Sequence, residues 1–370
     1  MGKRTTTNGG RTIGLDLGDR FSEGRVLDGS GQVIEAFRVR TTEPALAARL
    51  ASYAPSRVVL EVGTHSPWVS RTVTRLGHEA VVANPRRVRL IAENDAKSDG
   101  VDAELLARLG RVDPSLLKPI VHRGLQAQRD RMLIQARDGF VRARTQLVNQ
   151  VRGFAKALGT QLPASSTEAF PRRVRATTPG DLFPGLETLL ETIEQLTAAI
   201  RQMDQAVERL CRERYPETEL LRQVPGVGAI TALYYVLTIE DPSRFAKSRS
   251  VGAYVGLRPK QRDSGEQSPQ LRITKAGDRL LRCLLVSGAH YILGPFGPDT
   301  DLRRAGLRMA ERGGQAAKKR AIVAVARRLA VLLHRLWLTG EVYEPLRSEA
   351  SKGCVSPLMD QEPRVRVTAL

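Results

Sequence analysis

Asp99 and Asp102 stand three residues apart in the stretch KSDGVDAELLARL, where a helical run is about to begin. Residues at i and i+3 are neighbours on a helix surface, and two like charges there repel by a few tenths of a kcal/mol unless something positive lies between them. Two explanations are open. Aspartate is favoured at a helix N-cap and in the first turn, so Asp99 could be the cap and Asp102 the residue three positions on, an arrangement without chemistry. The other explanation is a divalent cation, which needs further carboxylates from elsewhere in the chain. Asp16 in TIGLDL and Glu61 in RVVLEVG qualify, because an acid inside an apolar strand costs several kcal/mol to bury unless it is paired or binds metal. Four carboxylates suit Mg²⁺ or Mn²⁺, hard cations that work on phosphates. Two such ions about four ångströms apart would stabilise both the attacking and the leaving oxygen at a phosphodiester.

These acids must be brought together by an α/β layer. TIGLDL, EGRVLD and QVIEAFRVR read as three short strands separated by glycine-containing turns, an antiparallel meander. A helix from about Pro44 to Tyr53, the strand RVVLEVG, a helix over SPWVSRTVTRLG and the strand EAVVANP follow. Strands alternating with helices imply parallel strands buried on both faces. If the first strand and RVVLEVG are neighbours, Asp16 and Glu61 meet at one edge, with the helix carrying Asp99 and Asp102 packed across it.

The chain of 370 residues carries 58 Lys and Arg against 39 Asp and Glu, a formal charge of +19. That length exceeds what one core usually fills. The charge points to a polyanion, nucleic acid before an anionic membrane. No apolar run reaches the roughly 18 residues of a membrane span, and the N-terminus lacks the apolar core of a signal peptide. Cys211, Cys283 and Cys354 are odd in number and far apart, which supports neither a disulfide framework nor a zinc site. A cytoplasmic protein without a membrane partner is expected.

From about Leu125 the texture becomes helical. Leu133, Ala136, Phe140, Leu147, Val151, Phe154 and Leu158 mark one stripe, and Leu186, Leu189, Ile193, Leu196, Ile200, Met203, Val207 and Leu210 form an a/d seam of coiled-coil type. That seam could pair with the preceding helix or with a second copy. The turn VPGVG, with Gly226 and Gly228, can offer backbone amides and a helix start to a phosphate, in the manner of a helix-hairpin-helix motif. Between Leu302 and Trp337 ten cations, Lys318, Lys319, Arg320 and Arg312 among them, face one acid, which argues for a phosphate track.

TIGLDLG, LEVGTHSPW and KSDGVDAELLA resemble the DEDD set of RuvC-like nuclease domains in the transposases of bacterial insertion sequences. VPGVGAITA, RFAKSRSVGAYVGLRPKQRDSG and RITKAGDRLLRCLL resemble, in the same order, the C-terminal domain of that family, the recombinases guided by a bridge RNA. The resemblance runs from Thr12 to about Tyr343. It implies an α/β plus α architecture: a disordered N-terminus over 1–10, an RNase H/RuvC-like mixed-sheet domain over 11–124, a coiled-coil helical region over 125–214, a mostly helical transposase domain over 215–347 and a disordered tail over 348–370. By the resemblance Asp16, Glu61, Asp99 and Asp102 bind Mg²⁺ or Mn²⁺, and Ser264 is a nucleophile that joins covalently to DNA. The two meet in a composite site, and DNA is cut and rejoined through a phosphoserine. Lys260, Arg262 and Lys275 join Gly226, Gly228, Lys318, Lys319 and Arg320 as expected nucleic-acid contacts. The implied partners are double-stranded DNA, a guide RNA and further copies of the chain, as a dimer or tetramer through the coiled coil, in the bacterial cytoplasm and on the nucleoid when active. Two other readings compete: a two-metal hydrolytic, junction-resolving nuclease in which water attacks, and a non-catalytic nucleic-acid-binding protein.

Overall fold

The computed structural model describes residues 10–86, 88, 99–179, 181–262, 264, 269, 271–311 and 313–347, with Asp99 described by its backbone alone. The ends expected to be disordered, 1–10 and 348–370, lie outside these residues apart from Gly10. The chain divides into two compact units, 1–124 and 125–370.

The first unit is a five-stranded mixed sheet in the order β3-β2-β1-β4-β5, formed by β1 (Thr12–Leu17), β2 (Phe21–Leu27), β3 (Val33–Arg40), β4 (Arg57–Glu61) and β5 (Glu79–Ala83). The first three strands are the antiparallel meander, and β1, β4 and β5 run parallel. Alternation along β1 sends Ile13 and Leu15 into a core with Leu46 and Leu50 of α1 (Glu43–Ala51) and Val69 and Val73 of α2 (Ser66–Arg75). The opposite face lies under α3 (Asp99–Val112). There Gly14 has no room for a side chain, since a Cβ would stand 1.9 Å from the Ala103 carbonyl oxygen. Gly14 with Ala103 and Ala107 thus lets helix backbone approach strand backbone, and the fold is compatible with an RNase H-like layer.

The second unit is helical. It begins with α4 (Leu125–Ala157), α5 (Phe170–Thr177) and α6 (Leu186–Glu213). Helices α4 and α6 pack antiparallel, as the pairs Arg137–Asp204 and Arg144–Thr197 require. The seam expected on α6 is therefore used within the chain. Leu186, Ile193, Ile200 and Val207 are buried as anticipated, but Leu190, Thr197 and Cys211 are buried in place of Leu189, Leu196 and Leu210. The buried stripe of α4 is also rotated from the expected one: Ile134, Arg144, Val148 and Ala155 face inward with Val151, while Phe154 and Leu158 are exposed. An oligomer through the coiled coil consequently has no unburied seam at Ile193 and Ile200 to use.

Beyond them lie α7 (Glu217–Arg222), α8 (Ala229–Ile239), α9 (Arg249–Tyr254), α10 (Arg279–Leu293), α11 (Asp301–Ala310) and α12 (Gly314–Thr339). Helix α8 is apolar all round and sits at the centre of the largest core, with Leu281 and Leu285 of α10 and Leu329 and Leu333 of α12. The hydroxyl of its buried Tyr235 donates to the Ala330 carbonyl at 2.7 Å. At the base of the hairpin, Asp130 accepts hydrogen bonds from Tyr215 at 2.6 Å, Gln126 at 3.0 Å and the Arg214 guanidinium at 2.9 Å.

Candidate functional site

Strands β1 and β4 are parallel neighbours with Leu15 beside Leu60, so Asp16 and Glu61 follow side by side at their C-terminal ends. Gly14 and Val59 both meet α3, through Ala103 and Gly110 respectively, and the residues two positions on share that face. On α3 the buried residues are Ala103, Leu106 and Ala107. Asp99 and Asp102 precede Ala103 and Leu106 by four residues, which puts them on the same helical stripe one turn nearer the start. Two strand ends and the first turns of one helix thereby bring Asp16, Glu61 and Asp102 to one face of one sheet. Asp16, Glu61 and Asp102 are half-buried.

The donor set is entirely carboxylate oxygen, the chemistry that Mg²⁺ and Mn²⁺ take. Among the described residues no three His, Cys, Asp or Glu side chains are grouped to hold a metal ion, and the Asp99 side chain is not among those described.

Two residues that sequence reasoning missed complete this face. Glu23 on β2 is the cross-strand partner of Asp16, and it pairs with Arg25 at 3.7 Å and Arg38 at 3.4 Å. The Arg25 guanidinium lies against the backbone of Gly100, where an added Cβ would stand 2.3 Å from its Nη2. A cation at a helix start opposes the helix dipole, and here it stands at the residue next to Asp99 and two before Asp102. Strand register and the crossing of α3 over the sheet reveal these neighbours. Past Glu61, the Ser66 hydroxyl donates to the Gly63 carbonyl at 2.8 Å and shares a hydrogen bond of 2.9 Å with His122 Nε2. Burial, with Arg123 and Arg71 nearby, lowers the His122 pKa, so its ring is neutral at pH 7.

In the second unit, Ser264 is exposed on a loop whose stem is formed by residues 256–260 and 272–277. Pro259 pairs with Ile273, the Lys260 amide donates to the Arg272 carbonyl at 2.9 Å, and the Thr274 amide donates to the Arg258 carbonyl at 2.9 Å. Gly256 and Gly277 hold positive φ where a Cβ would meet the Ala276 and Tyr254 carbonyl oxygens at 2.2 and 2.1 Å. Arg282 ties the stem to α10 by donating to the carbonyls of Val255 and Ala276. The glycines of the YVGLRP and TKAGD motifs thus build a stiff base for the serine, a signal present in the sequence but legible only once the close approaches are seen.

The expected nucleic-acid contacts fall into three places. Lys260 and Arg262 are exposed on the Ser264 loop, and Lys318, Lys319 and Arg320 are exposed near the start of α12, whereas Arg312 lies outside the described residues. Lys275, Lys319 and Arg320 line one groove. Gly226 is explained by packing: it has φ +81°, and a Cβ there would stand 2.7 Å from the Gly288 carbonyl oxygen of α10. Gly228, with open space at its Cβ position, precedes α8 at the edge of a cavity of 440 Å³.

The model of the Transposase IS116/IS110/IS902 family matches residues 218–300, and a second transposase model, for the DEDD proteins of IS110 type, matches residues 13–158. The chain belongs to the IS110 family of transposases. The transposase of insertion sequence element IS1111A from Coxiella burnetii is 26% identical over 341 residues, covering 90% of this chain and 91% of its own length. That of IS1328 from Yersinia enterocolitica is 28% identical over 290 residues, covering 76% and 83%. A probable family 20 transposase of Pseudomonas aeruginosa is 28% identical over 301 residues, covering 79% and 86%. This IS110-family transposase is therefore an enzyme of DNA recombination. Both family matches fall on candidate-site elements, the first on the Ser264 loop, the second on the sheet and α3. No helix among the described residues is long and apolar enough to cross a membrane.

Proposed function

We propose that this transposase cuts and rejoins DNA strands through Ser264, with Asp16, Glu61, Asp99 and Asp102 as the ligands of Mg²⁺ or Mn²⁺. The observation that carries the reading is the convergence of Asp16 and Glu61 at adjacent strand ends beneath the helix that starts at Asp99. When bound, the ion supplies positive charge to the oxygens of the scissile phosphate. The Ser264 hydroxyl attacks phosphorus: the Oγ–P bond forms, the P–O bond to the leaving strand breaks, and the serine proton is passed on while the leaving oxygen is protonated. Reversal by a new strand hydroxyl restores the diester and the free serine, so the bond energy is conserved. Stem glycines and Arg282 hold the serine out from the unit, and Lys260 and Arg262 on the same loop offer charge to the backbone. The resemblance and the +19 charge support a guide RNA on the basic surfaces, with sequence recognition delegated to base pairing. Duplex DNA, the guide and further copies of the chain are the partners in this reading, in the bacterial cytoplasm and on the nucleoid.

The test is a denaturing gel of labelled DNA. Wild type should give a protease-sensitive, slower species that Ser264→Ala lacks while still binding DNA. Ser264→Ala that cuts normally, or wild type that cuts without any adduct, would transfer the chemistry to hydrolysis by water.

A further inference from the structure

The stem of the Ser264 loop forms one wall of a groove of about 810 Å³. Pro259, Ile273 and Leu257 stand on the stem side, and Val323, Val331 and Leu332 of α12 stand opposite. Seven lining residues are Lys or Arg, and none of the described residues lining it is acidic. The floor is thus aliphatic while the rim is cationic. Arg272, Lys319 and Arg328 on that rim are exposed.

Duplex DNA has little use for such a floor, because its base faces are buried in the stack and it offers the protein phosphates and base edges instead. A single strand presents both a charged backbone and apolar base faces. Arginine suits the rim, since its planar guanidinium binds phosphate through paired hydrogen bonds and stacks on rings. An acidic amphipathic helix shares the pattern of charge, but the groove abuts the loop whose serine acts on a DNA strand. We infer that this groove holds single-stranded DNA, the stretch next to the phosphate that Ser264 attacks, with phosphates on the arginine rim and bases on the aliphatic floor. This rests on the function proposed above and adds to it a substrate form, a locally unpaired strand.

The probe is the full chain with a fluorescent oligothymidine of about 12 nucleotides, within the span of known single-strand sites, and a duplex of equal length. Arg272→Glu with Arg328→Glu should weaken single-strand binding by about tenfold or more, since reversed rim charges repel phosphates. The pair Val323→Thr and Val331→Thr keeps side-chain shape but wets the floor. It should lower single-strand affinity severalfold and leave duplex affinity unchanged, with circular dichroism reporting that α12 is intact. Equal losses for strand and duplex would overturn the inference in favour of a plain phosphate track, and no loss in either pair would remove the groove from DNA binding. Tighter binding of an RNA of the same length, lost in the same variants, would give the groove to RNA instead. A photo-crosslinker at Leu332 that captures a second protein copy rather than DNA would make it an interface. The adduct gel separates the two readings: an adduct with normal strand binding by the groove variants sinks only the groove. Loss of strand binding in those variants, without any wild-type adduct, sinks only the serine chemistry.

Discussion

Gly100 and Arg25 occupy each other's space: a Cβ on the glycine would stand 2.3 Å from Nη2 of the arginine, which also lies 3.7 Å from Glu23. The glycine between the two aspartates is there for the guanidinium as much as for the helix. Gly100→Ala should raise helix propensity by up to about 1 kcal/mol and push Arg25 aside. The expected outcome is a melting temperature at or above wild type together with slower strand cleavage. Unchanged cleavage would show that the place of Arg25 beside the acids is not used.

Glu61 ends a strand whose preceding residues are all engaged in the sheet. Glu61→Gln keeps the shape and removes the charge. Gel-shift affinity for DNA should be nearly unaffected, because cations elsewhere supply it, while cleavage is lost. A Glu61→Gln protein that cleaves at the wild-type rate removes this carboxylate from the site.

Ile193 and Ile200 are buried inside one chain. Replacing both with Glu should therefore cost several kcal/mol of stability, read as an earlier urea midpoint that does not depend on protein concentration. A folded variant whose mass by light scattering merely halves would place the seam between copies.

Asp130 supplies a pH dependence. Burial raises its carboxyl pKa, but hydrogen bonds from Tyr215, Arg214 and Gln126 together outweigh it and hold the group below its ordinary 3.8. The folded state then binds fewer protons than the unfolded one. Its stabilisation is complete above the ordinary value and is lost as pH falls through the lower folded one. Asp130→Asn should cost about 2 kcal/mol at pH 7, allowing for the exposure of Arg214, and flatten the urea stability profile below about pH 4. An acid limb that is as steep in the variant as in wild type would assign it to other carboxylates.

Removing Lys318, Lys319 and Arg320 together should reduce the slope of log affinity for DNA against log salt by up to about 2.7, as each lost phosphate contact releases fewer counterions. A slope equal to wild type would move the phosphate track away from the start of α12.

Much of this was open to reading from residues alone. TIGLDL and RVVLEVG announce buried strands because each is a short, mainly apolar run with one acid near its C-terminal end, and parallel pairing then puts Asp16 next to Glu61. The meander was equally plain from its turns. What could not be read depends on partners. In α4 the sequence offers apolar residues on more than one stripe, and the position of α6 decides that Ile134 and Val148 go inside while Phe154 stays out. Glu23 and Arg25 sit in a polar stretch of β2 and become neighbours of Asp16 and Gly100 only through antiparallel register and the crossing of α3. The stem of the Ser264 loop is likewise hidden, since the two glycine contacts that lock it join segments about 20 residues apart in the sequence.

Arg144 is buried in the α4–α6 hairpin and donates to Thr197 at 3.1 Å, and one heptad away Arg137 bonds to Asp204. Apolar contacts that recur every seven residues tolerate a slip of one heptad with little loss. These polar pairs do not. Sliding α6 in one direction sets Leu190 against the Arg144 guanidinium, and sliding it in the other sets Cys211 against Arg137. Only the observed alignment gives both arginines an oxygen acceptor, so during folding the aliphatic residues draw the two helices together while the arginines reject every misaligned encounter.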